Sequence, residues 1–361
     1  MHDDFFRYKS RFITFTLLLG YTFLHIKLTG LYVETTFAKM VDFTVIFPFA
    51  QRVLVPALVH VMGYFIPLSN EHLFFFLEWL FVGLFYYSLR QLLQEEFSLR
   101  QATLLSWLFI LLLPLITVVN YRYTVNSAAG YFFPGDTPAL FFMALGFLLC
   151  LRSQWYLFIP LIFLATLNRE SSILILLLIP ALHLQKGYAI VKPLFFATMA
   201  YCLARLIILF VLKDVPGPVF ELMFGKGPFS HFELNMAWLF GGENFLFFTF
   251  CFAGIPLFWF AFYDYIPKRY RPLRYIALFY FLVLFVVGNF REARFFSEIS
   301  LLLYLPVCVA LRHWLSDDSI YPQNTTVAAY IDRYAVITIL IMVLVFHRAI
   351  NQCIIGLWHL L

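Results

Sequence analysis

Charged residues at the edges of apolar segments are the part of this sequence that could do chemistry. The chain is 63% hydrophobic and 12% charged, and an ionisable residue beside a membrane span is costly unless it has a partner or a function. Eight of these residues share one membrane face in the topology described below: Arg52, Asp136, Arg169, Glu170, Arg291, Glu292, Arg294 and Glu298. Arginine binds phosphate and carboxylate in a bidentate manner, so the set predicts a site for an anionic group.

The densest charged group lies between residues 291 and 298. Arg294 and Glu298 are four residues apart and would share a helix face, so the group either binds an anion or anchors a loop through ion pairs. Arg169 and Glu170 interrupt an apolar segment. They either line a cavity or form a buried pair that only supports helix packing.

Acidic residues supply candidates for a catalytic base. Glu34 and Asp42 are the acids of the first predicted outer segment. A carboxylate there could take a proton from an acceptor hydroxyl, the alternative being a solvated loop charge. Asp136 begins a predicted helix, where it could be an N-cap worth about 1 kcal/mol. Arg52 could pair with Asp136, with Glu170 or with an external phosphate.

Other kinds of chemistry have little support in the sequence. The histidines lack a metal-binding spacing, and the five cysteines are dispersed in or beside apolar segments, as packing residues are. Phosphate-loop, dinucleotide and nucleophile motifs are absent. The net charge of +5 comes from short basic loops, which set membrane orientation, so nucleic acid is not a predicted partner. A metal cofactor stays unassigned, with a divalent cation at Asp136 and Glu170 left open.

The elements that must position these residues are membrane helices. The mean hydropathy is +0.85 with 47 Phe, and at roughly 20 residues per span the chain has room for about ten. Backbone groups in lipid must be satisfied internally, which favours helices. We therefore predict an all-α, polytopic transmembrane bundle over residues 1–361 as a single integral membrane domain. Short interfacial helices are expected in the outer loops, for example within Phe49–Phe65.

Basic residues set the predicted orientation. Arg7, Lys9 and Arg11 precede a first span at Ile13–Val33, which places the N-terminus in the cytoplasm. Nearly every later loop predicted to be inside carries Lys or Arg. The fourth span begins at the turn 134–138, and the fifth is broken near the outer face at residues 168–172. The spans after the first are predicted at His72–Leu93, Ala102–Val119, 134–151, Trp155–Leu184, Pro193–Leu212, Phe245–Phe262, Tyr275–Val287, Phe295–Leu311 and Tyr334–Ile350.

Four motifs carry a family resemblance. They occur, in this order, at Pro48–Pro56, Phe133–Phe142, Leu167–Ser171 and Gly288–Arg294. Together they resemble motifs of bacterial multi-spanning proteins related to the GT-C glycosyltransferases. The resemblance implies a polyprenyl-phosphate sugar donor, an active site on the outer face and an acidic residue in the first outer loop, here Glu34 or Asp42. It also implies a bacterial inner membrane.

The leading hypothesis is thus a GT-C-like glycosyltransferase that modifies a cell-envelope glycan or lipid. Four arginines would hold the lipid phosphate, namely Arg52, Arg169, Arg291 and Arg294. Asp136 and Glu170 would fix the arginines or bind a divalent cation. The alternatives are a transporter of a lipid carrier or substrate, and a non-catalytic subunit of a larger membrane complex. Expected partners are the lipid bilayer, a polyprenyl-phosphate-type lipid and, in the last case, other membrane proteins.

Overall fold

The structure of the chain is a computed structural model that describes residues 2–121, 130–223, 229–316 and 326–358. Within these ranges the regular secondary structure is helical, and the only β-type pairings are two isolated bridges. The all-α prediction is therefore confirmed for the described residues. Part of the predicted outer segment 120–136 lies outside them.

Contacts divide the chain into two compact units, Met1–Pro218 and Val219–Leu361, and each is described by itself. The single domain expected over residues 1–361 stays a prediction. The α-helices of the first unit are α1 (His2–Lys27), α2 (Phe37–Val41), α3 (Leu54–Phe65), α4 (Asn70–Leu93), α5 (Leu99–Thr117), α6 (Asp136–Leu151), α7 (Trp155–Asn168), α8 (Ile173–His183) and α9 (Val191–Val211).

The second unit is built from shorter helices and bent pairs. Its α-helices are α10 (His231–Leu239), α11 (Asn244–Phe248), α12 (Ile255–Ala261), α13 (Leu273–Val287), α14 (Ser297–Leu315), α15 (Val327–Val345) and α16 (His347–Trp358). Short 3₁₀ turns precede several of them. The turns at Lys268–Tyr270 and Ala293–Phe296 lead into α13 and α14 and carry charged residues discussed below.

Five helices are long and apolar enough to cross a membrane, or up to seven if each of two bent pairs is one span, by length and composition among the described residues. The five are Asn70–Leu93, Leu99–Thr117, Glu170–Val211, Lys268–Val287 and Ala293–Leu315. The bent pairs are Asn244–Phe252 with Ile255–Ala261, and Ala329–Val345 with His347–Trp358. These helices indicate an integral membrane protein.

Two of the predicted elements differ in detail from the structure. The first helix begins at His2 and ends at Lys27, whereas the predicted span ran from Ile13 to Val33, and it is not among the five. The predicted interfacial helix is a 3₁₀ turn at Phe49–Gln51 followed by α3. The predicted break is present, because α7 ends at Asn168 and Arg169 is extended, with φ −161° and ψ 143°.

Helix α6 organises the first unit by packing against α4, α7 and α8. A Cβ on Gly146 would come within 2.3 Å of Ile175 Cγ2, so the glycine allows α6 and α8 to approach closely. At the start of α6, the Asn168 amide donates to the Gly135 carbonyl oxygen at 2.9 Å. That bond joins the first turn of α6 to the break after α7.

Candidate functional site

A buried ion pair forms where α6 begins and α7 ends. Arg169 Nη1 lies 2.9 Å from Asp136 Oδ1, and the two side chains are 3% and 2% exposed. Gly135 occupies the N-cap position, so Asp136 is the first helical residue and not the cap. A carboxylate at that position also benefits from the positive end of the helix dipole. The pair brings together two residues that the sequence predicted for one site.

A second ion pair includes Glu170, the residue that follows Arg169, and its side chains are more exposed than those of the first pair. Arg52 Nη2 is 3.2 Å from Glu170 Oε1, with the side chains 13% and 32% exposed. The Arg52 guanidinium also lies 5.5 Å from the centre of the Phe133 ring. Its Nε and Nη1 are buried and have no hydrogen-bond acceptor among the described residues. Arg52 therefore keeps donor capacity that its one carboxylate partner does not use.

A third arginine, which is not among the residues predicted from the sequence, belongs to this region. Arg205, on α9, donates from Nη2 to Gln51 Oε1 at 2.5 Å, next to Arg52 in the chain. Its Nη1 is buried without an acceptor among the described residues. The signal was present, because Arg205 is a lone cation inside the predicted span Pro193–Leu212. Arg52, Arg169 and Arg205 outnumber the two carboxylates by one charge.

Arg52 forms part of the wall of a mainly apolar pocket with a cavity volume of about 30 Å³. The lining residues are Thr35, Met40, Phe43, Val45, Phe49, Ala50, Arg52, Val53, Pro56, Phe133, Pro134, Gly135 and Leu212. Arg52 is the charged residue among them. An apolar cleft with one convergent polar group is the usual form of a small-ligand site, and here the polar group is a cation.

The two candidate bases border this pocket without lining it. Glu34 precedes the lining residue Thr35, and its carboxylate pairs with Lys39 Nζ at 3.0 Å on the surface. Asp42 precedes the lining residue Phe43, ends α2 and is exposed. Glu34 is thus engaged by a cation. The Asp42 carboxylate is the more available of the two for a proton transfer.

The remaining predicted residues belong to the second unit. Arg294 Nη2 lies 2.6 Å from Glu292 Oε2, and the Arg294 side chain is 3% exposed. Glu298 is also buried, at 2% exposure, and Arg291 is half-buried. Arg294 and Glu292 are brought together as an ion pair. Since this pair occupies Arg294, an incoming phosphate would have to displace Glu292 to reach it.

Asn235 holds the turn that carries these charges. Its amide nitrogen donates to the carbonyl oxygens of Phe285 and Gly288, at 3.0 and 2.8 Å, and its Oδ1 accepts from the Phe290 amide at 2.9 Å. The two carbonyl oxygens lie at the C-terminal end of α13, where carbonyl groups lack helical partners, and the Phe290 amide belongs to the turn that follows. Near by, burial lowers the pKa of His231 below its ordinary value, and the Glu292 carboxylate opposes that shift only in part.

A buried polar group in the first unit was also missed. Glu78, in the middle of α4, accepts from Thr137 Oγ1 and lies 2.8 Å from His25 Nδ1, and the Glu78 and His25 side chains are at most 1% exposed. Thr137 follows Asp136, so this group adjoins the buried ion pair. A lone acid within the apolar run 73–82 was the available signal.

The first-unit arrangement can bind an anion beside an apolar surface. The arginines supply N–H donors, the pocket supplies apolar contact, and Asp42 supplies an exposed carboxylate near its edge. Among the described residues there is no group of three or more His, Cys, Asp or Glu that could hold a metal ion. The divalent cation considered for Asp136 and Glu170 stays a prediction.

Comparison with known proteins adds nothing to this assignment. No protein-family model matches the chain, and no curated protein matches it either. The function is therefore inferred from the residues and the geometry described above.

Proposed function

We propose that this protein is a GT-C-like membrane glycosyltransferase that takes a sugar from a polyprenyl-phosphate carrier. The observation that carries the proposal is the apolar pocket whose wall contains Arg52, two of whose guanidinium nitrogens, Nε and Nη1, are buried without an acceptor among the described residues. The proposal includes a GT-C-like bundle of about ten spans in a bacterial inner membrane, with the N-terminus in the cytoplasm. The acceptor is a cell-envelope glycan or lipid.

Binding energetics favour a phosphate on a lipid as the ligand. A buried donor without an acceptor costs about 1–3 kcal/mol, and more when it is charged, so Arg52 gains when a phosphate oxygen arrives. Phosphate matches the guanidinium fork geometrically. The apolar side chains of the pocket wall, among them Met40 and Leu212, offer the first isoprene units a surface whose removal from water is favourable. Arg205, which donates to the side chain of Gln51, adds a further donor beside the residue that precedes Arg52.

The chemistry assigns a role to each polar group. The bond between the sugar anomeric carbon and the phosphate oxygen breaks, and a bond to the acceptor oxygen forms. The acceptor hydroxyl proton passes to the Asp42 carboxylate, which acts as general base. Arg52 stabilises the negative charge that develops on the departing polyprenyl phosphate. The Asp136–Arg169 pair fixes the break on which Glu170, the partner of Arg52, is carried.

Lipid retention in nanodiscs tests the proposal. The purified protein is reconstituted with undecaprenyl phosphate or with undecaprenol, and native mass spectrometry measures which lipid stays bound. We expect retention of the phosphate form, and a loss of about tenfold or more in Arg52→Gln, since a charged hydrogen bond is worth about 1.5–3 kcal/mol. Arg152→Gln is the matched control, because Arg152 pairs with Glu95 on the surface of the same unit.

Donor turnover then separates transfer from carriage. Undecaprenyl-phosphate-linked sugars are supplied with cell-envelope extract, and released undecaprenyl phosphate is measured. Release that requires Arg52 and falls strongly in Asp42→Asn supports the transferase. Binding without release favours the transporter of a lipid carrier. Equal retention of undecaprenol and its phosphate contradicts the proposal and favours the non-catalytic subunit.

A further inference from the structure

A second charged pocket lies in the second unit, at the ends of two apolar helices. It has a cavity volume of about 260 Å³ and includes the starts of α13 and α15. Its ionisable lining residues, apart from tyrosines, are Asp264, Lys268, Arg271, Arg274, Asp332 and Arg333. Four cations and two carboxylates leave an excess of two positive charges.

The carboxylates occupy only two of the cations. Arg333 Nη2 lies 2.8 Å from Asp264 Oδ2, and Arg274 Nη2 lies 2.6 Å from Asp332 Oδ2. Among the described residues, neither Lys268 nor Arg271 has an ion-pair partner. The uncompensated charge of the pocket is therefore carried by these two side chains.

The arginines also retain unused donors. Arg274 is 5% exposed and donates to the hydroxyls of Tyr263 and Tyr275, yet its Nε has no acceptor among the described residues. The same is true of the buried Arg271 Nη2, whose Nε donates to the Ile266 carbonyl oxygen at 3.1 Å. Unpaired cationic donors in a pocket favour the entry of an anion, because each is costly without an acceptor.

Tyr263 holds the cations together. The guanidinium carbons of Arg271, Arg274 and Arg333 lie 4.8, 4.9 and 5.7 Å from the centre of its ring. The aromatic face offsets part of the repulsion between neighbouring arginines. The cations are thus held in place before any ligand arrives, which lowers the entropic cost of binding.

We propose that this pocket binds a phosphomonoester, a group that carries about two negative charges at neutral pH. That charge matches the excess of two, and the arginine forks suit phosphate oxygens. The phosphate belongs either to the headgroup of a membrane lipid or to a soluble compound. The site is independent of the proposed glycosyltransferase pocket, since each lies within its own unit.

Two binding measurements test the proposal and separate the sources. In one, the protein in phosphatidylcholine nanodiscs is heated with inorganic phosphate or with chloride at equal ionic strength, and the Tm is compared. In the other, nanodiscs contain phosphatidylcholine with a tenth of phosphatidic acid or phosphatidylglycerol, and native mass spectrometry measures the retained lipid. A Tm rise with phosphate indicates a soluble ligand. Selective retention of phosphatidic acid indicates a lipid headgroup.

Variants of neighbouring cations make the test specific. Arg271→Gln is expected to reduce lipid retention, or the affinity for phosphate derived from the Tm rise, about tenfold. Lys268→Gln is expected to reduce it about threefold, because Lys268 is exposed and its charge is screened by solvent. Arg269→Gln is the matched control, because Arg269 lies between the two residues, in the 3₁₀ turn Lys268–Tyr270, and contacts the Tyr270 ring without lining the pocket. The proposal is overturned if neither phosphate source binds in preference to its control, or if Arg269→Gln weakens binding as much as Arg271→Gln.

Discussion

Asp136 and Arg169 bury opposite charges side by side, so each depends on the other. Replacing Arg169 by Gln leaves a carboxylate that is 2% exposed without its cation. We expect a loss of about 3–5 kcal/mol in the free energy of unfolding. The measurement is unfolding in mild detergent by titration with sodium dodecyl sulfate.

The double variant and a surface pair calibrate that result. Asp136→Asn with Arg169→Gln should lose much less than the sum of the single variants, because no buried charge then stays unpaired. Arg152→Gln breaks an exposed pair, with side chains 39% and 28% exposed, and should cost less than about 1 kcal/mol. Equal losses at the buried and the exposed pair would contradict the interpretation.

Variants of Glu78 show whether thermal stability depends more on a buried hydrogen-bond acceptor or on a buried charge. Glu78→Gln keeps an oxygen for Thr137 and His25, whereas Glu78→Leu removes the acceptor from both. We expect Glu78→Leu to lower the thermal stability clearly more than Glu78→Gln, since each orphaned donor costs about 1–3 kcal/mol. Glu71→Gln, at an exposed position of the same helix, should have almost no effect. A Leu variant as stable as the wild type would show that the network is dispensable.

For individual residues, the sequence revealed which charged side chains are candidates for the site but not which side chains they pair with. Arg52, Asp136, Arg169 and Glu170 were predictable because charge at the edge of an apolar segment is conspicuous. The pairing of Arg52 with Glu170, separated by 118 positions, depends on how helices pack. Glu78 and Arg205 were missed because each is a single polar residue inside a span whose average is apolar.

Among the elements, α6 and α8 depend on the absence of a side chain at Gly146. Gly146→Ala would force a methyl group into Ile175, a β-branched residue that cannot turn aside easily. We expect a loss of about 1–3 kcal/mol from overpacking, measured by thermal unfolding in detergent. Gly83→Ala on α4 has open space around its Cβ, and should be neutral or stabilising by up to about 1 kcal/mol. A stabilised Gly146→Ala variant would contradict the close approach.

Breaks in the helices were easier to predict than their ends. The polar run at 168–172 cannot continue an apolar helix, and α7 ends there. In contrast, the end of α1 at Lys27 was predicted too late, because the apolar pattern continues beyond the helix. Composition reports hydrophobicity, whereas a helix end is decided by local backbone hydrogen bonds.

For the whole molecule, the distribution of Lys and Arg predicts orientation. Thr44 is predicted to lie outside and Gln185, beside Lys186, inside, and both are exposed on the protein surface. In a variant without native cysteines, Thr44→Cys should react with a membrane-impermeant maleimide in intact bacteria. Gln185→Cys should react only after the membrane is permeabilised. Labelling of Gln185→Cys alone in intact cells would reverse the predicted topology.

The division into two units was not predictable from the sequence. Hydropathy varies little along the chain, and no long polar linker marks residue 218. Units are defined by which helices touch, and apolar spans contact one another through shape and small residues, with no distinct composition at the boundary. The eight charged residues predicted for one site are therefore spread over two units, each with its own ion pairs.

The three hydrogen bonds of Asn235 give that residue an influence far from its place in the chain. It lies in α10, yet it shapes the turn after α13 that carries Arg291 and Glu292. In a saturation mutagenesis screen, position 235 would tolerate as few substitutions as a residue that touches a ligand. Even Asp, which is nearly the same size, loses both donated hydrogen bonds. Intolerance of substitution at position 235 would therefore reflect its structural role and not ligand binding.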